Sequence, residues 1–227
     1  MPSDNPEREN RILDAASELI THYGYDKTTV SDIARQAGVS KGAIYLHFDS
    51  KERLFDTLIM RETLSITEEL LDRVDNDPNG GTILSLYKHS LMIIGEHPLL
   101  RALTTSDKRI LGDYYRRNSS RMLAQNQQTY GVELIQMFQE ANLIRSDLNP
   151  KIVSYILGTF RFGLLTTENI LPGYDTPPLM EIAPVLAETL ERGLAPIDGE
   201  PDKEAGKRII HQMAERVREI LKTMQER

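Results

Sequence analysis

The sequence predicts an all-α fold, and three observations carry that expectation. Apolar residues recur at spacings of three and four along nearly the whole length, no long apolar–polar alternation occurs, and clusters of turn formers divide the chain into helix-sized segments. At 227 residues the chain has room for one large domain or a small and a medium one, with a full hydrophobic core. It contains no cysteine, which excludes disulfide scaffolds, thiolate metal sites and cysteine nucleophiles. No apolar run approaches the roughly 18 residues that read as a membrane span. The N-terminus lacks the basic-then-apolar pattern of an export signal. The expectation is a cytoplasmic protein without a membrane partner. A net charge of −7, from 27 Lys+Arg and 34 Asp+Glu, argues against a generic polyanion binder.

The elements follow in order. Asn5 is a good N-cap and Pro6 fits the first position of a first helix, whose stripe is Ile12, Ala15, Ala16, Leu19, Ile20 and Tyr23, with Gly24 as its stop. A short helix begins at Thr28 or Thr29 and ends near Ala37; a second runs from about Ser40 to His47. A long helix opens at Asp49 or Ser50, where Asp49 and Glu52 have capping-box spacing, and continues to about Val74. Loops at 75–81, 145–150 and 172–178 separate helices expected at about 82–96, 99–104, 107–142, 150–171 and 178–195. Gly112 and Gly131 mark places where the 107–142 segment would kink or break. A linker at 196–202 leads to a last helix at about 203–225, whose Ile210, Met213, Val217, Ile220 and Met224 form a short heptad-like seam. That helix should pack on the body or on a partner subunit.

Residues 29–48, TVSDIARQAGVSKGAIYLHF, carry the most information. Two short helices joined by a tight turn must cross steeply. Ala34 is small at the crossing, Gly38 suits a left-handed turn residue, and Ser40 can cap the next helix. Ile33, Ala37, Val39 and Ile44 would close a small core over the first helix. This is the spacing of a DNA-reading helix-turn-helix. An ordinary αα-hairpin would not explain the outer face of the second helix, where Lys41, Ala43, Tyr45 and His47 form a donor set without acids and Gly42 permits close backbone approach.

The segment 11–58 resembles the N-terminal domain of TetR-family transcriptional regulators. The resemblance rests on Gly24, Tyr25, Thr28 and Thr29, on IARQAGVSKG, and on YLHFDSKERL, and covers roughly a fifth of the chain. It implies recognition rather than catalysis, with a three-helix DNA-binding domain at 1–50. A larger helical effector-binding and dimerisation domain would follow at 51–195, then a linker and extra helix at 196–227. It places Lys41, Gly42 and Ala43, at the start of the reading helix with its cap Ser40, near base edges in the major groove of a double-stranded operator. Tyr45 and His47 would reach phosphate, as would Thr28 or Thr29 and Lys51. Lys41 suits a guanine and Ala43 a thymine methyl. The expected function is a repressor that binds a palindromic operator as a homodimer and is released by a small-molecule effector. The alternative is a similar DNA-binding protein without an effector, constitutive or controlled by a protein partner.

No catalytic constellation, phosphate-binding glycine loop or cofactor motif is present, and no enzyme activity, cofactor or metal is expected. His89 and His97 lie two helical turns apart, too far to share one ion. An effector pocket in the middle of the chain would be lined by His89, Met92, His97, Arg101, Tyr114, Met122 and Phe160, a set that suits a small hydrophobic or aromatic compound. The dimer surface is expected from Ile156, Phe160, Gly163 and Leu164 on one helix and Ile182, Leu186 and Leu190 on the next, two helices from each subunit forming a four-helix bundle. Charge is also uneven. Residues 1–50 carry five Lys+Arg against eight Asp+Glu, but residues 27–47 carry Lys27, Arg35 and Lys41 against Asp32 alone. A small positive face on an acidic body should bind DNA weakly unless both half-sites match.

Overall fold

The computed structural model describes residues 6–128, 131–171, 173 and 175–225 and, for 119–128 and 168–169, the backbone alone. The expected cap Asn5 and the side chain of Met122 lie outside what is described. All regular structure among the described residues is helical: α1 (Pro6–Tyr23), α2 (Val30–Ala37), α3 (Lys41–Tyr45), α4 (Lys51–Asn76), α5 (Ile83–Glu96), α6 (Pro98–Thr105), α7 (Lys108–Gln128), α8 (Val132–Glu140), α9 (Pro150–Ile170), α10 (Leu179–Leu194) and α11 (Lys203–Gln225). The 107–142 segment is indeed interrupted: α7 contains a non-helical Gly112 (φ 47°, ψ −131°), and Gly131 in extended conformation precedes α8.

Most boundaries follow from capping chemistry. Asn149 accepts from the N–H groups of Lys151 and Ile152, with Pro150 at the first turn of α9. The Thr82 hydroxyl accepts from Ser85 N–H at the start of α5. Of the two expected openings of α4, Ser50 is the cap, and the expected Asp49–Glu52 capping box does not form. The Ser50 hydroxyl, not the Asp49 carboxylate, takes the Arg53 N–H at 3.1 Å, and Glu52 turns outward to Asn118 at 3.1 Å. Two neighbouring residues offered a cap, and the one in register with the first turn won.

The chain groups into two compact units: residues 1–63 with 98–122, and residues 64–97 with 123–227. In the first, Ile12, Ala16 and Ile20 of α1 meet Ile33 of α2, Ile44 of α3 and Leu54, Phe55 and Leu58 of α4; Leu99, Leu111 and Tyr114 complete that core. The turn after α1 is received by the bend in α7. Tyr25 N–H donates to Ile110 O at 2.7 Å, and Asp113 N–H donates to the Asp26 carboxylate at 2.9 Å.

In the second unit α10 lies along α5 and α8 along α9. The core joins Leu71 and Val74 of α4, Tyr87 and Leu91 of α5, Phe138 of α8, Leu157 of α9, Ala183 and Ala187 of α10, and Ile210 and Ala214 of α11. The last helix therefore packs on the body. Its seam is used only in part, since Ile210 is buried while Ile220 is exposed. Its first turn lies against the 77–82 loop so closely that a Cβ on Gly206 would collide with the Gly81 carbonyl. Lys203 Nζ donates to Pro78 O at 3.0 Å, and the Arg218 guanidinium forks onto Glu68 at 2.7 and 2.8 Å.

Candidate nucleic-acid interface

Thr29 caps α2 with a full capping box. Its hydroxyl accepts from Asp32 N–H at 3.1 Å and donates to the Asp32 carboxylate at 2.6 Å, and its own N–H reaches the same carboxylate at 3.2 Å. The Thr29 hydrogen bonds, with Arg35 beside the carboxylate, hold Asp32 below the usual carboxylate range. Gly38 closes α2 in the left-handed region (φ 66°, ψ 35°), and Val39 N–H returns to Ala34 O at 3.0 Å. The Ser40 hydroxyl then caps α3 through Ala43 N–H at 3.1 Å. A helix of five residues is held at both ends by side-chain and backbone caps rather than by its own length.

Packing sets which way α3 faces. Ile44 and Phe48 are buried in the core of the first unit. The turn cannot bury both and hide its opposite side, so Ser40, Lys41, Gly42 and Tyr45 are exposed, with Ala43 and His47 half-buried among them. Lys41 Nζ lies 5.9 Å from the centre of the Tyr45 ring. A Cβ at Gly42 would meet only the Ser40 hydroxyl, at 3.9 Å, so the backbone is open at that point. Between Tyr45 and His47 stands Leu46, 84% exposed at the C-cap of α3 and absent from the residues expected on this face. Its spacing of three from Ala43 and four from Gly42 was the signal available in the sequence.

Two expected phosphate contacts are placed otherwise. Thr28 is buried and its hydroxyl donates to Gly24 O at 2.9 Å, one turn back, so it closes the α1–α2 turn. Lys51 is half-buried; its ammonium donates to Tyr25 O and sits 3.9 Å above the Tyr25 ring centre. Burial lowers the Lys51 pKa from its ordinary value. Burial also pushes the Tyr25 hydroxyl up to about 12. Its neutral ring, tilted against Phe55 at 5.1 Å, is a fitting seat for that cation.

The expected pocket residues are distributed over both units. In the first, Tyr114 is core: its hydroxyl donates to Asp56 at 2.8 Å and its ring stands edge-on to Phe55 at 4.6 Å. Arg101 is half-buried on α6. In the second, His97 Nε2 lies 3.0 Å from Glu69 and His89 Nε2 2.8 Å from Asp77, which also receives Lys88 Nζ at 2.7 Å and Ser85 Oγ at 2.8 Å. Met92 is half-buried against the core of that unit and Phe160 is exposed on α9. The apolar pattern alone could not separate core from cavity wall. On the expected dimer surface, Ile156, Phe160 and Gly163 are exposed, while Leu164, Leu186 and Leu190 pack inward and Ile182 is half-buried.

Residues 12–58 match the family described as bacterial regulatory proteins, tetR family. Over this segment, about a fifth of its length, the chain resembles the tetR family. Among curated relatives, the fatty acid metabolism regulator protein of Bacillus subtilis (strain 168) is 35% identical over 91 residues, 39% of this chain and 47% of that protein. The HTH-type transcriptional regulator YvdT of the same organism is 30% identical over 96 residues, 42% of this chain and 50% of that one. The matched parts thus span about half the length of these two relatives. Among solved structures, NalD of Pseudomonas aeruginosa, the secondary repressor of the MexAB-OprM multidrug efflux pump, has a TM-score of 0.57 at 26% identity, covering 85% of this chain and 98% of that one. FadR of Bacillus subtilis in complex with stearoyl-CoA has a TM-score of 0.60 at 21% identity, covering 79% and 96%. No helix among the described residues is long and apolar enough to cross a membrane.

Proposed function

We infer that this chain is a TetR-family DNA-binding transcriptional regulator whose α3 reads the major groove. The observation that carries the reading is the exposed α3 face, where Lys41, Gly42 and Tyr45 stand outward on a capped turn with no acidic side chain among them. Lys41 is the candidate for a guanine, Ala43 for an apolar base contact, and Ser40, Tyr45, His47 and the N-terminus of α2 at Thr29 for phosphate. Thr28 and Lys51 act as positioning residues, the one closing the turn before α2, the other bracing the start of α4 on Tyr25.

The regulator works as a homodimer. One short reading helix contacts too few bases for a tight, selective complex, whereas a two-fold pair reads a palindrome. An apolar stripe on α9 supports this: Tyr155 is 75% exposed, with Ile156 and Phe160 at 42% and 45%. Ile156, Phe160 and Gly163 fall four and three apart on one face, with Tyr155 next to Ile156 in sequence. A contiguous exposed apolar stripe marks an interaction site.

Release by a small hydrophobic effector is the form of regulation we favour. The likeness to a fatty acid metabolism regulator and to a structure solved with stearoyl-CoA supports it. An effector that binds one subunit arrangement better than another would shift the population away from the DNA-competent one. The test is binding of the purified chain to duplexes selected from genomic fragments, followed by Lys41→Ala. The variant should lose affinity and alter which duplexes win. Unchanged affinity and ranking would sink the assignment of α3.

A further inference from the structure

We propose that Leu46 is a specificity determinant that reads a thymine methyl in each half-site. The inference rests on α3 being the DNA-reading helix and goes one residue further. Leu46 is 84% exposed, the most exposed of the large apolar side chains among the described residues. It caps α3 with helical backbone (φ −75°, ψ −22°), and its N–H donates to Gly42 O at 3.1 Å. Its orientation is therefore fixed by the helix rather than by a loose loop. The same turn carries Gly42, which adds no side chain, and Ala43, which adds one methyl. Leu46 is the one long side chain in that part of the face, and it is wholly apolar.

An apolar side chain gains nothing from a phosphate and has no donor or acceptor for a base edge. The group that DNA presents for it in the major groove is the C5 methyl of thymine. Leu46 has water around it in the free protein, so covering it on binding returns hydrophobic free energy that no contact inside the unit already claims. The neighbouring polar side chains, Lys41, Tyr45 and His47, are placed to fix the helix on the duplex while Leu46 selects.

The test uses the duplex recovered by selection and the full chain. Each thymine in a half-site is replaced by deoxyuridine, one symmetric pair at a time, which removes the methyl and leaves pairing intact. The loss of a methyl contact is worth about fourfold per half-site, so about fifteenfold for the pair. For the natural chain, one symmetric pair should show that loss. Leu46→Ala should bind the unmodified duplex about fifteenfold or more weakly and lose nothing further at that pair. Its melting temperature should be unchanged, because the side chain is exposed. The proposal is overturned if Leu46→Ala binds the unmodified duplex as the natural chain does. It is equally overturned if every deoxyuridine pair costs both proteins the same, which would put Leu46 on sugar or nothing. If selection recovers no preferred duplex at all, the DNA-reading role of α3 fails, and Leu46 falls with it.

Discussion

Lys51 shows how a side chain's surroundings decide its role. Spacing in the sequence puts a lysine at the start of α4, where a free ammonium would suit phosphate. In the fold its stem crosses the Tyr25 ring and its ammonium takes the Tyr25 carbonyl. Lys51→Ala should therefore lower the stability of the first unit by about 1 kcal/mol, the size of a partly desolvated cation–π contact. A urea titration reads this. Any accompanying loss of DNA affinity should be the same for all sequences, because a brace carries no base information. Lys41→Ala should differ in kind, costing about 1–3 kcal/mol on the preferred duplex and relaxing the choice of base at one position. The caps were legible at this scale: Thr29, Gly38, Ser40 and Asn149 each hold the end that their chemistry suggested. The burial of Thr28 was not, because two adjacent threonines look alike until Gly24 supplies an acceptor to one of them.

At the scale of elements, two packing devices make testable demands. The first is the tight seat of α11 on the 77–82 loop. Helix propensity alone says that Gly206→Ala stabilises by about 1 kcal/mol. The Gly81 carbonyl leaves no room for the added carbon, so the substitution should instead destabilise, by about 1–3 kcal/mol. Deleting 201–227 should lower the melting temperature too, since it removes Ile210 and Ala214 from the second core. The second device is the Asp77 node. Burial alone would raise the Asp77 carboxyl. Hydrogen bonds from Lys88, the Asn79 N–H, Ser85 and His89 outweigh it and hold the carboxyl well below the usual range. Burial pushes the His89 imidazole down, against its bond to Asp77, and its Nδ1 is buried with no hydrogen-bond partner among the described residues.

Both folded values thus lie below the unfolded ones, so on acidification the unfolded chain takes up protons first. His89 should cost stability as pH falls below about 6.5, and Asp77 below about 4. Asp77→Asn should be less stable than the natural chain at pH 7, and the gap should narrow toward pH 3. A gap that widens on acidification would contradict the node. The helices after α3 were legible as helices, with α7 and α8 read as one interrupted segment, because the turns between them are rich in Gly, Pro, Asn and Asp. Which core each one joins was not, because a three-four stripe says only that a face is covered. Tyr114 belongs with Phe55 and Asp56, and α6 with α1, for reasons that reside in tertiary packing.

For the whole molecule, charge and the proposed two-fold pairing set the behaviour. An acidic chain with a small positive face gains little from a duplex that it does not fit, and phosphate contact by one copy cannot offset that repulsion. Disrupting the α9 stripe with Ile156→Arg should yield a monomer by light scattering and weaken operator binding far more than it lowers the melting temperature. The central claim, that α3 is a DNA-reading helix presented twice, is tested most directly by selecting the purified chain against a random duplex pool at physiological salt. A shared palindrome with half-sites about 10 base pairs apart, centre to centre, is the expected result. A recovered pool without a common motif, bound no more tightly than arbitrary duplex, would contradict it.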